Sequence, residues 1–242
     1  MRQIGQILEG APARLLMSLH PIFPLRGFEE WGYPLPEKKP EGLDLPTLGQ
    51  RAVALTGMLA YDRDLEESVS QKLTELLSIR IKVRLVEGRR ATVWATPSDS
   101  NGAEILFVNE GTGPNQLPFI LIPVALTPRN ETVLISEPEA HLHPKRQCEL
   151  TRMLLSVAKK EEIQFVFETH SEHVLHTILN AVAKGEWEPH KVALHYFQNK
   201  NGVAEVSRRG INRFGQVDGG LPDFFEQSLA ELTDYLKALS RD

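Results

Sequence analysis

Residues 132–144 read TVLISEPEAHLHP. A short apolar run, Thr132 to Ser136, meets an acid, Glu137, and then Pro138, which has no N–H to continue a ladder. A strand without polar alternation needs cover on both faces, as in a parallel sheet flanked by helices. A second such run follows one helix later: in FVFETHSEH, Phe165 to His173, the apolar residues deliver Thr169 and His170 to a strand end. In open parallel sheets ligands gather at the carboxyl ends of the strands. A carboxylate and an imidazole placed there can position and deprotonate a water, or contact a phosphate oxygen. The plainer alternative is that Glu137 caps the next helix and His170 bonds locally.

Working outward, helices are expected over Pro144–Lys159 and Ser171–Ala183, with Pro144 at a first turn and Gly185 beyond a last one as start and stop marks. Upstream, a strand is expected over Glu104–Val108, a glycine-rich loop over Glu110–Asn115 and an apolar segment over Gln116–Leu126. The fold class is therefore α/β, a largely parallel sheet flanked by helices. Farther upstream, Leu65, Val69, Leu73, Leu76 and Leu77 recur at helical spacing within Asp62–Ile79, and IKVRLVE and ATVWATP flank a GRR hairpin turn. Downstream, VALHYF and VAEVSR joined by QNKNG read as an edge hairpin, and FFEQSLAELTDYLKAL as an amphipathic helix. The organisation expected is an irregular, proline-punctuated segment over 1–61, a helix with a hairpin over 62–103, and the α/β lobe over 104–242.

The chain has 242 residues, 41% hydrophobic and 24% charged, so it can bury a core without staples. Its formal charge of −5 offers no basic field for nucleic acid, and any DNA contact must be a local patch. The single cysteine, Cys148, excludes an internal disulfide and a multi-cysteine zinc site. No apolar run reaches the ~18 residues of a membrane span and the start MRQIGQILEG lacks an export core, so a cytoplasmic protein is expected.

The same stretches resemble a known family. TVLISEPEAHLHP is similar to the Walker B strand and D-loop of ABC-class P-loop ATPases, in the branch of SMC-like and OLD-like proteins. ETHSEHVL resembles that group's H-loop, and EGTGPNQL (Glu110–Leu117) stands where its signature loop stands. The order signature, Walker B, D-loop, H-loop is also the family's, PDFFEQSLAEL resembles a tail of one subgroup, and PLRG (Pro24–Gly27) is a weaker upstream echo. The resemblance implies ATP and Mg²⁺ as ligands. It makes Glu137 the carboxylate that polarises the attacking water and His170 the switch histidine at the γ-phosphate. Gly111, Gly113, Asn115 and Gln116 become the signature loop facing a partner's nucleotide, and Ser136 takes the metal position. Glycines there would let backbone N–H groups approach an anion, although a plain turn between elements reads equally well.

Two departures stand out. The phosphate-cradling motif G-x-x-x-x-G-K-[ST] is missing, since none of the 17 glycines is followed by lysine. Ser136 occupies the usually acidic Walker B position, and a neutral hydroxyl is a weaker partner for a hard cation. The chain is thus expected to be the C-terminal lobe of a truncated or split ATPase. It would complete a site only with a P-loop-bearing chain or as a homodimer, in a process such as DNA repair or phage defence. An interaction module that regulates a full-length ATPase is the competing expectation. A metal-dependent hydrolase built on His141, His143, His170 and His173 is a third. Asp62 and Asp64 read as helix-start acids, Cys148 as a packing residue, and Lys38, Lys39, Arg89 and Arg90 as solvated loop pairs.

Overall fold

The computed structural model describes residues 18–42, 47–98, 103–221, 224, 231 and 233–237. Two compact units divide between His170 and Ser171.

The first unit holds the parallel sheet. Strand β1 (Leu19–Ile22) is followed by β2 (Tyr33–Pro34), helices α1 (Leu48–Tyr61) and α2 (Arg63–Leu77), the hairpin β3 (Ile79–Val86) and β4 (Arg90–Pro97), and β5 (Ile105–Leu106). Helices α3 (Thr112–Gln116) and α4 (Pro118–Leu126) lead to β6 (Thr132–Ser136), α5 (Pro144–Glu161) and β7 (Gln164–Glu168). The sheet runs β1-β6-β7, all parallel, with β6 in the centre. Central placement explains the sequence of β6: Val133 and Ile135 are fully buried on one face and Leu134 is half-buried on the other. Helix α5 buries Leu150, Leu154 and Ala158 at four-residue spacing, which turns one stripe inward. Helix α4 has Phe119, Ile120, Leu121, Ile122 and Val124 all buried, because it packs among α1, α2 and β1.

A second, antiparallel sheet has the order β2-β4-β3, with β5 also on β4. Its tight turn takes left-handed backbone at both Gly88 (φ 76°) and Arg89 (φ 54°), the conformation glycine tolerates best.

Three expectations change in this unit. The proline-rich start contains two short strands and a helix. Strand β1 contributes only LHPI, and α1 buries seven residues in a row but one, from Ala52 to Leu59, leaving almost no polar face to mark it. The strand expected over Glu104–Val108 shrinks to two residues, because the chain turns at Phe107 to bury that ring edge-on to Phe28, 6.1 Å between centroids. Starting within the expected loop, Thr112–Gln116 is helical, and so is Pro118–Leu126 after it.

In the second unit, Ser171 caps α6 (Glu172–Ala183) by accepting from the N–H groups of His173 and Val174. The expected hairpin is β8 (Leu194–Lys200) paired with β9 (Val203–Arg209), turning on Asn201 and Gly202. The helix expected over 224–239 lies largely outside the described residues, as does the MRQIGQILEG start.

Candidate functional site at the carboxyl ends of three parallel strands

Because the three strands are parallel, each delivers its following residues to one edge: Arg26 after β1, Glu137 after β6, and Thr169 with His170 after β7. Ser136, the last residue of β6, is the register partner of Glu168, the last of β7. Its hydroxyl donates to the Glu168 carboxylate at 2.7 Å. The ladder continues for one more bond, Glu137 N–H to the Glu168 carbonyl at 2.8 Å, and then Pro138 ends it. Glu137 adopts left-handed backbone (φ 49°), a conformation that costs a non-glycine residue about 1 kcal/mol or more and persists only when its surroundings hold it.

What holds it is Arg26. This side chain is only 8% exposed. One terminal nitrogen donates to the carbonyls of Phe23 (2.9 Å) and Ser136 (2.8 Å), and the other to the carbonyl of Glu137. Burial pushes the guanidinium pKa down to about 10, opposed by the nearby Glu139 and Glu137 carboxylates, so it stays charged at neutral pH. Arg26 therefore sits beneath the turn as a fixed cation. Sequence reasoning noted PLRG only as an echo; the arginine's role depends on a pairing with residues 111 positions away.

Glu139 links the two strand ends. One oxygen accepts from the Thr169 hydroxyl (2.7 Å) and the His170 N–H (3.0 Å), while the other is buried without a hydrogen-bond partner among the described residues. The turn continues through Ala140 N–H to the Glu137 carbonyl and Leu142 N–H to that of Glu139. His143 then caps α5 through Lys145 N–H.

The glycine-bearing segment lies against this turn. Gly113 is so close that an added Cβ would stand 2.6 Å from the His141 carbonyl oxygen. Gln116, buried, donates to the Ala140 carbonyl. Asn115, also buried, bonds both backbone groups of Phe28 at 2.8 Å. The side chains of Asn115 and Gln116 are thus committed inside the protein, and Gly111 and Thr112 are the exposed part of the segment. The expected loop is a five-residue helix whose polar side chains brace the turn.

The histidines do not assemble. His141, His143, His170 and His173 are exposed, and no group of three or more His, Cys, Asp or Glu side chains among the described residues is placed to hold a metal ion. Asp62 is the N-cap of α2, accepting from Leu65 N–H (3.0 Å) and from the Lys39 ammonium (2.5 Å), so it serves the helix start. A groove of about 630 Å³ lined by Tyr33, Pro36, Val53 and Arg90 contains none of the strand-end residues. The Ser136 hydroxyl and the Glu168 carboxylate bonded to it are oxygen donors of the hard kind that suits Mg²⁺.

The AAA ATPase domain family matches residues 54–175, which takes in the whole strand-end turn and β7. A second family, described as a protein of unknown function, matches residues 188–234. No curated protein matches the chain. Among solved structures, one described as "Structural biochemistry of ATP-driven dimerization and DNA stimulated activation of SMC ATPases" is similar over 71% of this chain and 92% of that one, at 14% identity and a TM-score of 0.50. An SMC head bound to the C-terminal winged-helix domain of ScpA is similar over 71% of this chain, at 13% identity and a TM-score of 0.50. This chain spans about half the length of that second structure, covering 53% of it. At such identities the likeness is one of fold.

Proposed function

The chain belongs to the AAA ATPase domain family, and from that premise we propose that it is an ABC-class ATPase subunit with the fold of an SMC head, whose strand-end turn acts on the γ-phosphate of ATP. The observation that carries this reading is the convergence of Arg26, Ser136, Glu137, Glu168 and His170 at one edge of a parallel sheet, with a buried cation under two carboxylates. Glu137 takes the proton of the attacking water; its left-handed backbone, clamped by Arg26, fixes where the carboxylate starts from. His170 contacts the γ-phosphate, and Glu139 holds its backbone in place. Mg²⁺, when bound, screens the phosphate charge. The exposed backbone of Gly111 and Thr112 faces a partner's nucleotide, while Asn115 and Gln116 act indirectly by bracing the turn.

No G-K-[ST] sequence occurs among residues 1–242, and in the ATPase reading the phosphate cradle is supplied from outside them. The partner is a P-loop-bearing chain, or the site forms in a homodimer that borrows such a loop. The lobe over 104–242 supplies the catalytic side, with Arg26 contributed from the segment before it. Dimerisation driven by ATP and stimulation by DNA describe the similar SMC ATPase; dimerisation transfers naturally to this chain, whereas the charge of −5 gives DNA no support. No helix among the described residues is long and apolar enough to cross a membrane, which accords with work in the cytoplasm. Defence against phage or repair of DNA is the setting proposed.

A second reading, a regulatory module without turnover, is favoured by Ser136 in the metal position and by the inward commitment of Asn115 and Gln116. ATP turnover of the purified chain, alone and with candidate P-loop chains, separates the two. The ATPase reading expects little turnover alone, turnover with the partner, and its loss in Glu137→Gln with nucleotide binding kept. An unchanged rate in Glu137→Gln gives the lead to the regulatory module.

A further inference from the structure

Resting on the ATPase reading, we propose that Glu168 supplies the acidic group of the Mg²⁺ shell that position 136 lacks. The usual arrangement puts that acid at the end of the strand before the catalytic glutamate; here the position holds Ser136, and the charge stands one strand over. Ser136 and Glu168 are register partners in β6 and β7, and the Ser136 hydroxyl donates to the Glu168 carboxylate at 2.7 Å.

A hydroxyl has one proton and two acceptor lone pairs. With its proton directed at Glu168, Ser136 keeps its lone pairs for a water or a cation, and the pair together presents a hydroxyl oxygen and a carboxylate bearing one negative charge. Neighbouring strands lie about 4.8 Å apart, so moving the acid by one strand displaces it by roughly one water layer. Mg²⁺ keeps several waters and needs only one or two carboxylates when phosphates supply the rest, so a displacement of that size retains an outer-shell role.

The other carboxylates at this edge are committed. Glu139 spends one oxygen on Thr169 and His170 and buries the other, and Glu137 belongs to the water. Glu168 is exposed, and no ion pair among the described residues claims it.

The test uses Mn²⁺ with tripolyphosphate, which supplies the phosphate oxygens of the shell, as the probe and the full 242-residue chain. Paramagnetic broadening of the Ser136 and Glu168 amide resonances is followed as Mn²⁺ is added. Glu168→Gln keeps the size and an oxygen to accept the Ser136 proton, so the fold should survive, as an unchanged melting midpoint would confirm. Its half-saturation should rise about tenfold or more, the usual loss when an outer-shell partner is removed. The double variant Ser136→Asp with Glu168→Gln should recover the wild-type value, because it returns the acid to its ordinary strand. Unlocalised broadening in the wild type, equal half-saturation in Glu168→Gln, or no recovery in the double variant overturns the proposal and leaves a structural cross-strand bond. Failure of the ATPase reading would appear elsewhere, as turnover insensitive to Glu137→Gln in the partnered assay, with the Mn²⁺ result untouched.

Discussion

Glu139 and His170 are joined by a hydrogen bond of 3.0 Å from the His170 backbone N–H to the Glu139 carboxylate, so the turn after β6 fixes the segment after β7. The Thr169 hydroxyl adds a second bond to the same oxygen at 2.7 Å. Glu139→Ala removes both bonds, which should lower stability by about 1–3 kcal/mol in urea unfolding. Under the role proposed for His170 at the γ-phosphate, a partnered assay should show kcat lowered more than KM is changed, because His170 loses the bond that places its backbone. Glu139→Gln keeps the accepting oxygen and should be milder on both measures.

Gly113→Ala tests the contact between the short helix and the turn. The new Cβ would meet the His141 carbonyl oxygen at 2.6 Å and Leu142 Cδ2 at 3.3 Å. The backbone must shift, and overpacking of this kind costs about 1–3 kcal/mol. Gly111→Ala is the matched control: its nearest neighbour is Pro114 at 4.0 Å, and its stability should stay within about 0.5 kcal/mol of wild type. Equal effects of the two substitutions in chemical denaturation would remove the close packing from the account.

Arg26→Met strips charged donors from three carbonyls and leaves Glu137 and Glu139 without their buried cation. Breaking a buried charged network by deleting one member costs about 3–5 kcal/mol, so this variant should be among the least stable single substitutions in the chain. Amide exchange from Glu137 to Leu142 should accelerate more than exchange in the β3–β4 hairpin. Uniform acceleration throughout would show that Arg26 stabilises the fold generally and does not clamp this turn.

Acid sensitivity has an assigned contributor at the start of α2. The Lys39 ammonium and the Leu65 N–H hold the Asp62 carboxyl below the usual carboxylate range. A pKa lowered by folding adds stability that is present above the ordinary value of about 3.9 and is lost as pH falls through the folded value. Asp62→Asn retains an N-cap but has no such titration. The difference between wild type and variant should therefore be largest near neutral pH and shrink below pH ~4, as urea midpoints at several pH values would register. Asp62→Ala, which also loses the cap, should cost about 1 kcal/mol at neutral pH.

The sequence announced the parts whose evidence is local. Strand β6 was legible to the residue, because an uninterrupted apolar run stops at Pro138, and α5 because of Pro144 and its four-residue stripe. The hairpins were marked by their glycine turns. The strand ends then placed Ser136, Glu137 and His170 at one edge. What escaped depends on distant partners or on the absence of a pattern. Strand β1 contains a proline and has meaning only beside β6, so Arg26 could not be recognised as the cation under the turn. Helix α1 is buried nearly all round and has no polar stripe, its Gly57 lying against Pro36 and Pro40. Asn115 and Gln116 entered as ligand residues only through the resemblance to a signature loop, and only the packed structure reveals that Phe28 and Ala140 already occupy them. Glu168 stood two residues from His170 unremarked, since its partner Ser136 is set by strand register.

The β1–β6 ladder also sets an order of assembly. His20 and Glu131 pair across 111 residues of chain, whereas α2 and the β3–β4 hairpin are built from neighbours in sequence. Loop-closure entropy must be met before a pairing this distant is rewarded, and such contacts form late. On a ribosome, Arg26 emerges early and stays hydrated while the hairpin and its helix close. It loses its water only when Ser136 and Glu137 have been synthesised and β6 slots in beside β1. The residues of this strand-end turn are thus brought together late, and a nascent or partly unfolded chain lacks the buried arginine beneath it.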